Sequence, residues 1–210
     1  SILHQYAPVV EQVSIDEAFL DMTGTEQLYA HLVTSGHPFP ICLAEKIKGE
    51  IRDTLGFTVN VGISVNKLLA KMASDFTKPD KVHTLFPEEI AEKMWPLDIG
   101  ELYGCGKATA QRLRGLGVRT IGDAAHMKEE TLQAVLGEKG GEYIYRSANG
   151  ISDSLVEEAA EEAKGYSNET TTSQDITADN YIAQATPILR WLSEKVAERL
   201  RRDGVFALTI

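Results

Sequence analysis

The chain has 210 residues, 43% of them hydrophobic and 25% charged, and a net charge of −10 at pH 7. That length holds one large domain or two small ones, and the composition is that of a folded globular protein. The acidic balance argues against nucleic-acid binding by bulk charge, no apolar run is long enough for a membrane span, and Cys42 and Cys105 lack metal-ligand spacing and read as reduced thiols.

The charge is unevenly spread. Residues 1–97 carry 8 basic and 13 acidic side chains, residues 98–150 carry 7 of each, and residues 151–210 carry 6 and 11. The middle segment is the least acidic, so any grip on a phosphate backbone belongs there. Such binding is expected to be modest and to fade quickly with salt.

Ser1 begins in mid-pattern with no initiator Met, and Ile2–Tyr6 reads as a helix end broken by Ala7-Pro8. Val9–Val13 leads into Val13-Ser14-Ile15-Asp16-Glu17-Ala18-Phe19-Leu20-Asp21, which reads as a strand, a tight turn at Asp16-Glu17 and a second strand ending at Gly24. One Asp would serve turn chemistry. Two adjacent carboxylates make a hard oxygen site of the kind Mg²⁺ occupies beside a phosphate, although a solvated hairpin turn would look the same.

Residues 39–55 place Ile41, Ala44, Ile47, Ile51 and Leu55 at helical spacing, with Gly56 as the stop. Thr58–Ser64 alternates as a strand, Val65–Ser74 returns to helical period, Thr77–Lys81 is a turn, and Val82–Phe86 is a strand ended by Pro87. This is an α+β layer, with helices on one face of a sheet. A helix is expected to start at Pro87-Glu88-Glu89. Next, Asp98–Leu113 holds Gly104-Cys105-Gly106-Lys107 between two helical pieces, with Ile99, Leu102, Ala110 and Leu113 as the apolar offsets. That is a helix-hairpin-helix pattern, whose glycines let backbone N–H groups approach a phosphate. A plain αα-hairpin is the alternative. Thr120 or Asp123 caps a further helix, and two more helices end at Gly137 and Gly150. The acidic stretch after Val156 reads as a linker. Tyr166–Ile176 is Thr-rich and β-prone, Tyr181–Arg202 is a long amphipathic helix, and Val205–Ile210 starts another strand.

Three stretches resemble the Y-family (translesion) DNA polymerases, especially their DNA polymerase IV (DinB-like) group. They are the nonapeptide from Val13 to Asp21, the series Val61-Gly62-Ile63-Ser64…Asn66-Lys67…Ala70-Lys71…Ala73-Ser74…Lys78-Pro79, and the helix-hairpin-helix with the closing Ala148–Asp153. The resemblance implies a partial palm over 1–86, an all-helical thumb over 87–153, a linker over 154–165 and a partial α/β little finger over 166–210. It implies a DNA-directed DNA polymerase working on primer-template DNA and dNTP with Mg²⁺, or Mn²⁺, in a two-metal site. Asp16 would bridge both metals, Glu17 would ligate the primer-side metal, and Ser14 would lie near the primer end. Lys78 would contact the triphosphate, while Gly104, Gly106 and Lys107 would hold the primer strand. Asp21 is left as structural. Asp80-Lys81 depart from the small residue and Gly that commonly follow Lys-Pro in this family, which puts the turn geometry in question.

The same resemblance implies that an N-terminal palm strand with another metal-ligating Asp, the fingers, the end of the little finger and a clamp-binding tail lie outside this sequence. The 210 residues alone are then expected to be inactive, with self-association through an exposed sheet edge, and the parent protein is expected in the bacterial cytoplasm at the nucleoid. Two other readings are a non-catalytic DNA-binding accessory protein with a polymerase-like palm, and a helix-hairpin-helix repair nuclease. The paired carboxylates disfavour the first. The lack of an acidic cluster of its own in residues 98–150 disfavours the second.

Overall fold

The computed structural model describes residues 2–33, 36–158, 165–207 and 209. They form an α+β protein of two compact units, residues 1–160 and 161–210.

The first unit opens with a helical turn, Leu3–Gln5, and an antiparallel ribbon of β1 (Val9–Gln12) and β2 (Ala18–Asp21). Val10 turns inward and is buried while its neighbours Val9 and Glu11 are only partly covered, as strand alternation requires. Val9 pairs with Asp21 and Gln12 with Ala18, so the ribbon closes over a five-residue loop, 13–17. The turn is therefore wider than the sequence suggests. Its mouth is closed by the amides of Val13 and Ser14, which donate to the Glu17 carbonyl at 3.0 and 3.3 Å.

Helix α1 (Phe39–Leu55) follows the expected bounds and stops at Gly56 with φ 76°. It buries Leu43, Ile47 and Ile51 against Tyr6, with Leu20, Met22 and Tyr29 packed alongside. The next strand is shorter than expected. Strand β3 covers only Val61–Ile63; just before it the Asn60 side chain donates to the carbonyls of Ser74 and Thr77 and accepts the Lys81 backbone amide, which would otherwise be free for a ladder. Helix α2 (Lys67–Asp75) is capped by Asn66, whose side chain accepts from the Leu69 amide. Strand β4 (Val82–Thr84) then pairs parallel with β3, a strand–helix–strand crossover. Among the described residues the strands thus form two two-stranded sheets.

Gly62 is where the β3 backbone meets α2. A β-carbon there would lie 1.9 Å from the Ala70 carbonyl oxygen and 2.5 Å from the Ser74 amide nitrogen. Only glycine allows that approach.

The helix expected at Pro87 begins as a single turn, Pro87–Glu89, and then winds as a π-helix over Ile90–Met94. Beyond the turn Ile99–Glu101 come α3 (Lys107–Gly115), α4 (Ile121–Ala125), α5 (Glu129–Leu136) and α6 (Glu138–Ala148). Thr120 and Asp123 cap α4 reciprocally: the Thr hydroxyl accepts from the Asp123 amide at 3.1 Å, and the Asp carboxylate accepts from the Thr120 amide at 2.8 Å. Packing does not break at residues 86–87. One core runs from Leu68, Leu69, Met72 and Leu85 through Met94, Leu102 and Leu113 to Leu132 and Ile144.

The second unit contains α7 (Tyr181–Arg202), again as expected, with Pro187 inside its second turn. The strands expected at Tyr166–Ile176 and Val205–Ile210 are not formed among the described residues; Leu208 and Ile210 lie outside them. The β-prone composition is real, but an isolated strand has no ladder to complete, and no partner strand is present among the described residues of this unit. Part of the expected linker, 159–164, also lies outside the described residues, and its described flanks are non-helical.

Candidate functional site

The two carboxylates of the hairpin loop have different surroundings. Asp16 is exposed, and its Oδ1 accepts the Ser14 hydroxyl at 2.6 Å. Glu17 is the last loop residue before β2, and its carbonyl accepts the amides of Val13 and Ser14. Its Oε1 lies 2.6 Å from Lys71 Nζ on α2. Asp21 is hydrogen-bonded by the side chain of Thr23 and by the Thr23 amide at 2.9 Å, and these bonds hold its carboxyl below the usual range.

Lys71 is shared. Its ammonium also lies 3.2 Å from Asp75 Oδ2, one helical turn on. Asp75 in turn offers Oδ1 to Lys78 Nζ at 2.8 Å. The result is a row of alternating charge, Glu17–Lys71–Asp75–Lys78, running along one side of α2 onto the following turn. Burial works against the charge on Lys71, but its hydrogen bonds to Glu17 and Asp75 outweigh that and lift its pKa above the ordinary lysine value. Burial alone would raise the Asp75 carboxyl. The bonds from Lys78 and Lys71 win and hold it below the usual range.

A second ion pair docks the hairpin on α2. Lys67 Nζ lies 2.8 and 2.7 Å from the two oxygens of Glu11 and 5.2 Å from the centre of the Phe19 ring. Desolvation opposes the charge on Glu11, and the bonds from Lys67 and the Glu157 amide overcome it, so its pKa is lowered.

In the turn carrying Lys78, Asp80 takes the left-handed conformation at φ 59° and is the one non-glycine residue to do so among those described. Buried Lys48 holds it, donating to the Asp80 carbonyl at 2.8 Å and lying 3.4 Å from Oδ1.

At the glycine turn, Gly104 has φ 81° and packs on Tyr143, whose hydroxyl donates to the Tyr103 carbonyl at 2.8 Å. A β-carbon on Gly104 would lie 2.3 Å from that hydroxyl oxygen. Cys105 is buried as the anchor, while Gly106 and Lys107 are exposed. Gly106 precedes α3 and no side chain caps the helix there, which leaves an accessible amide-rich end. Among the described residues Gly104, Gly106 and Lys107 make no hydrogen bond or ion pair with the charged row. They connect to α2 through the shared core and through Met72 Sδ, which accepts the Tyr103 amide at 3.3 Å.

Glu17 and Lys78 are thus joined through α2, while Asp16, among the described residues, bonds only to Ser14, and Lys71 and Asp75, which make the link, did not stand out as site residues in the sequence. Their signal was there: Lys71, Asp75 and Lys78 follow i,i+4 and i,i+3 spacing. For a metal, Asp16 and Glu17 fit as hard oxygen donors on consecutive residues of an exposed loop, the donor type Mg²⁺ takes. Among the described residues no group of three or more Asp, Glu, His or Cys side chains gathers to hold an ion. No helix among them is long and apolar enough to cross a membrane.

Comparison with known proteins gives one consistent family. Residues 1–75 match the model of the impB/mucB/samB family, residues 100–152 that of the DNA polymerase-iota thumb domain, and residues 163–210 that of the impB/mucB/samB C-terminal domain. DNA polymerase IV of Clostridium acetobutylicum is 40% identical, over 100% of this chain and 50% of the relative. DNA polymerase IV 1 of Bacillus subtilis is 36% identical, over 99% and 47%. The crystal structure of DinB from Sulfolobus solfataricus superposes with a TM-score of 0.63 at 32% identity, over 75% of this chain and 44% of that one. The insertion ternary complex of Dbh DNA polymerase gives 0.62 at 32%, over 74% and 43%. The chain spans about half the length of the curated relatives it matches. Divalent-metal use is general to this family.

Proposed function

This chain belongs to the Y family of DNA polymerases, in its DNA polymerase IV (DinB-like) group, and on that premise we propose that it supplies part of the nucleotidyl-transfer site of a translesion DNA polymerase. The observation that carries the reading is the joining of the acidic loop to Lys78 through α2. Acids for a cation and an ammonium for a phosphate lie at the two ends of one ionic row.

In this reading Asp16 and Glu17 hold Mg²⁺, which Mn²⁺ can replace, with a further ligand from outside the chain. When bound, the cations neutralise charge on the transferring phosphate and favour ionisation of the primer 3′-hydroxyl. The chain's own residues set the geometry. The Ser14 hydroxyl orients Asp16 from the primer side. Lys71 keeps Glu17 turned toward α2. Lys78, 61% exposed at its side chain, reaches the triphosphate of the incoming dNTP as a mobile point charge. The uncapped start of α3 receives a primer-strand phosphate on backbone amides, with Gly104 and Gly106 giving access and Lys107 adding charge. Such contacts read no sequence, as a polymerase requires. The clamp partner and the nucleoid location of the parent, like the palm, thumb and little-finger boundaries, are carried by the same premise.

The test is Mg²⁺-dependent primer extension by a chain extended to the length of its relatives, beside its Asp16→Ala variant. Extension lost in the variant supports the reading. No extension by either, with DNA still bound, overturns it in favour of a DNA-binding accessory protein. The 210-residue chain is expected to extend nothing by itself. Its pairing through an open strand edge is tested by sedimentation, where a monomer at all concentrations counts against it.

A further inference from the structure

Asp75 is an unfavourable residue for its place. It is the last residue of α2, and a carboxylate at a helix C-terminus opposes the helix dipole. Yet both of its oxygens are engaged, Oδ2 by Lys71 and Oδ1 by Lys78. Lys71 is largely enclosed, with a side chain 16% exposed, and is fixed from the other side by Glu17. Lys78 sits on an exposed turn and has no other ion-pair partner among the described residues. Without Asp75 its long side chain would sample many rotamers, a freedom that any ligand must remove.

We propose that Asp75 is a positioning residue: it is the resting counter-ion that parks the Lys78 ammonium at the end of the charged row until a polyphosphate takes its place. The inference rests on the reading of Lys78 as the phosphate-binding group. Asp75 touches no substrate in this scheme and acts through Lys78. Binding exchanges one anion for another on the same ammonium. The carboxylate therefore weakens polyphosphate binding, while ensuring that Lys78 starts from one place. Lys71, drawn by both Asp75 and Glu17, fixes the carboxylate and keeps it from following Lys78 outward.

The experiment uses the 210-residue chain and inorganic tripolyphosphate, followed by ³¹P chemical shift at low salt in buffer stripped of divalent ions, so that the lysines alone are read. Asp75→Asn keeps the shape and removes the charge. It is expected to bind tripolyphosphate about threefold more tightly, the scale on which an exposed ion pair competes. Asp75→Glu restores a carboxylate and is expected to return affinity toward that of the parent. In a Lys78→Met background Asp75→Asn is expected to change nothing. Unchanged or weaker binding by Asp75→Asn overturns the proposal, as does a gain that survives in Lys78→Met. A purely structural role would lower the melting temperature without this pattern, and that result also overturns it. If the parent chain fails to bind tripolyphosphate, or Lys78→Met binds it equally well, the phosphate role of Lys78 falls and takes the proposal with it. That outcome is distinct from a failure of Asp75 alone.

Discussion

The loop around Asp16 and the turn around Gly104, the two ligand sites proposed above, are held in different ways. The loop is fixed by side-chain charge: Glu17 on Lys71, Glu11 on Lys67. Its apolar tip, Ile15, is 98% exposed and packs on nothing. The glycine turn is fixed by packing, with Cys105 buried below it and Tyr143 pressed against Gly104. On the proposed reading, the loop takes cations and phosphate through charges that ligand charges can replace, and the glycine turn holds a backbone phosphate on amides, whose direction is set once by the fold.

The sharpest way to break this contrast is to exchange the expected losses. Asp16→Ala should reduce primer extension by about a thousandfold, the scale of losing a preorganised charged group. Its melting temperature should stay put, because Asp16 is exposed and bonds only to Ser14. Gly104→Ala should do the reverse to stability, costing about 1–3 kcal/mol as its β-carbon is forced against Tyr143. Calorimetry reads both, and a destabilised Asp16→Ala or a neutral Gly104→Ala would end the distinction. Lys107→Ala should leave the melting temperature alone and lower the salt slope of DNA binding by about one ion. An unchanged slope would move the phosphate grip elsewhere.

The smallest effect expected is in pH. The Glu11 pKa is lowered in the fold, so the stability it contributes is fully present above the unfolded carboxylate value, about 4.3. It is lost as pH falls through the lower folded value. Glu11→Gln should flatten the acid limb of the melting curve over that window. An identical acid limb would show that the hairpin docks on α2 without this pair.

Much of this was legible in the sequence where the cause is local. The helices α1 and α7 could be bounded from apolar spacing and end signals, and Thr120 with Asp123 from capping chemistry. What could not be read depends on partners far along the chain. Thr58 to Asn60 look like strand, but Asn60 is occupied with Ser74, Thr77 and Lys81. The π-wound Ile90–Met94 has the same apolar period as an ordinary helix. In the candidate site, the acidic pair and Lys78 were visible one by one. Their linkage was not, because Glu17 and Lys71 are 54 residues apart and meet only when the hairpin lies on α2.

The clamp on Asp80 also makes positions 48 and 80 unequal in what they tolerate. Lys48 buries its ammonium with 5% of the residue exposed, and it needs oxygen partners there. With an uncharged residue at position 80 it would keep the backbone carbonyl and Glu45, at 2.8 and 3.3 Å. Asp80 without Lys48 would keep only Arg52, at 3.9 Å, for its carboxylate. Of the two single changes, loss of the Asp80 carboxylate is therefore the milder and loss of Lys48 the costlier.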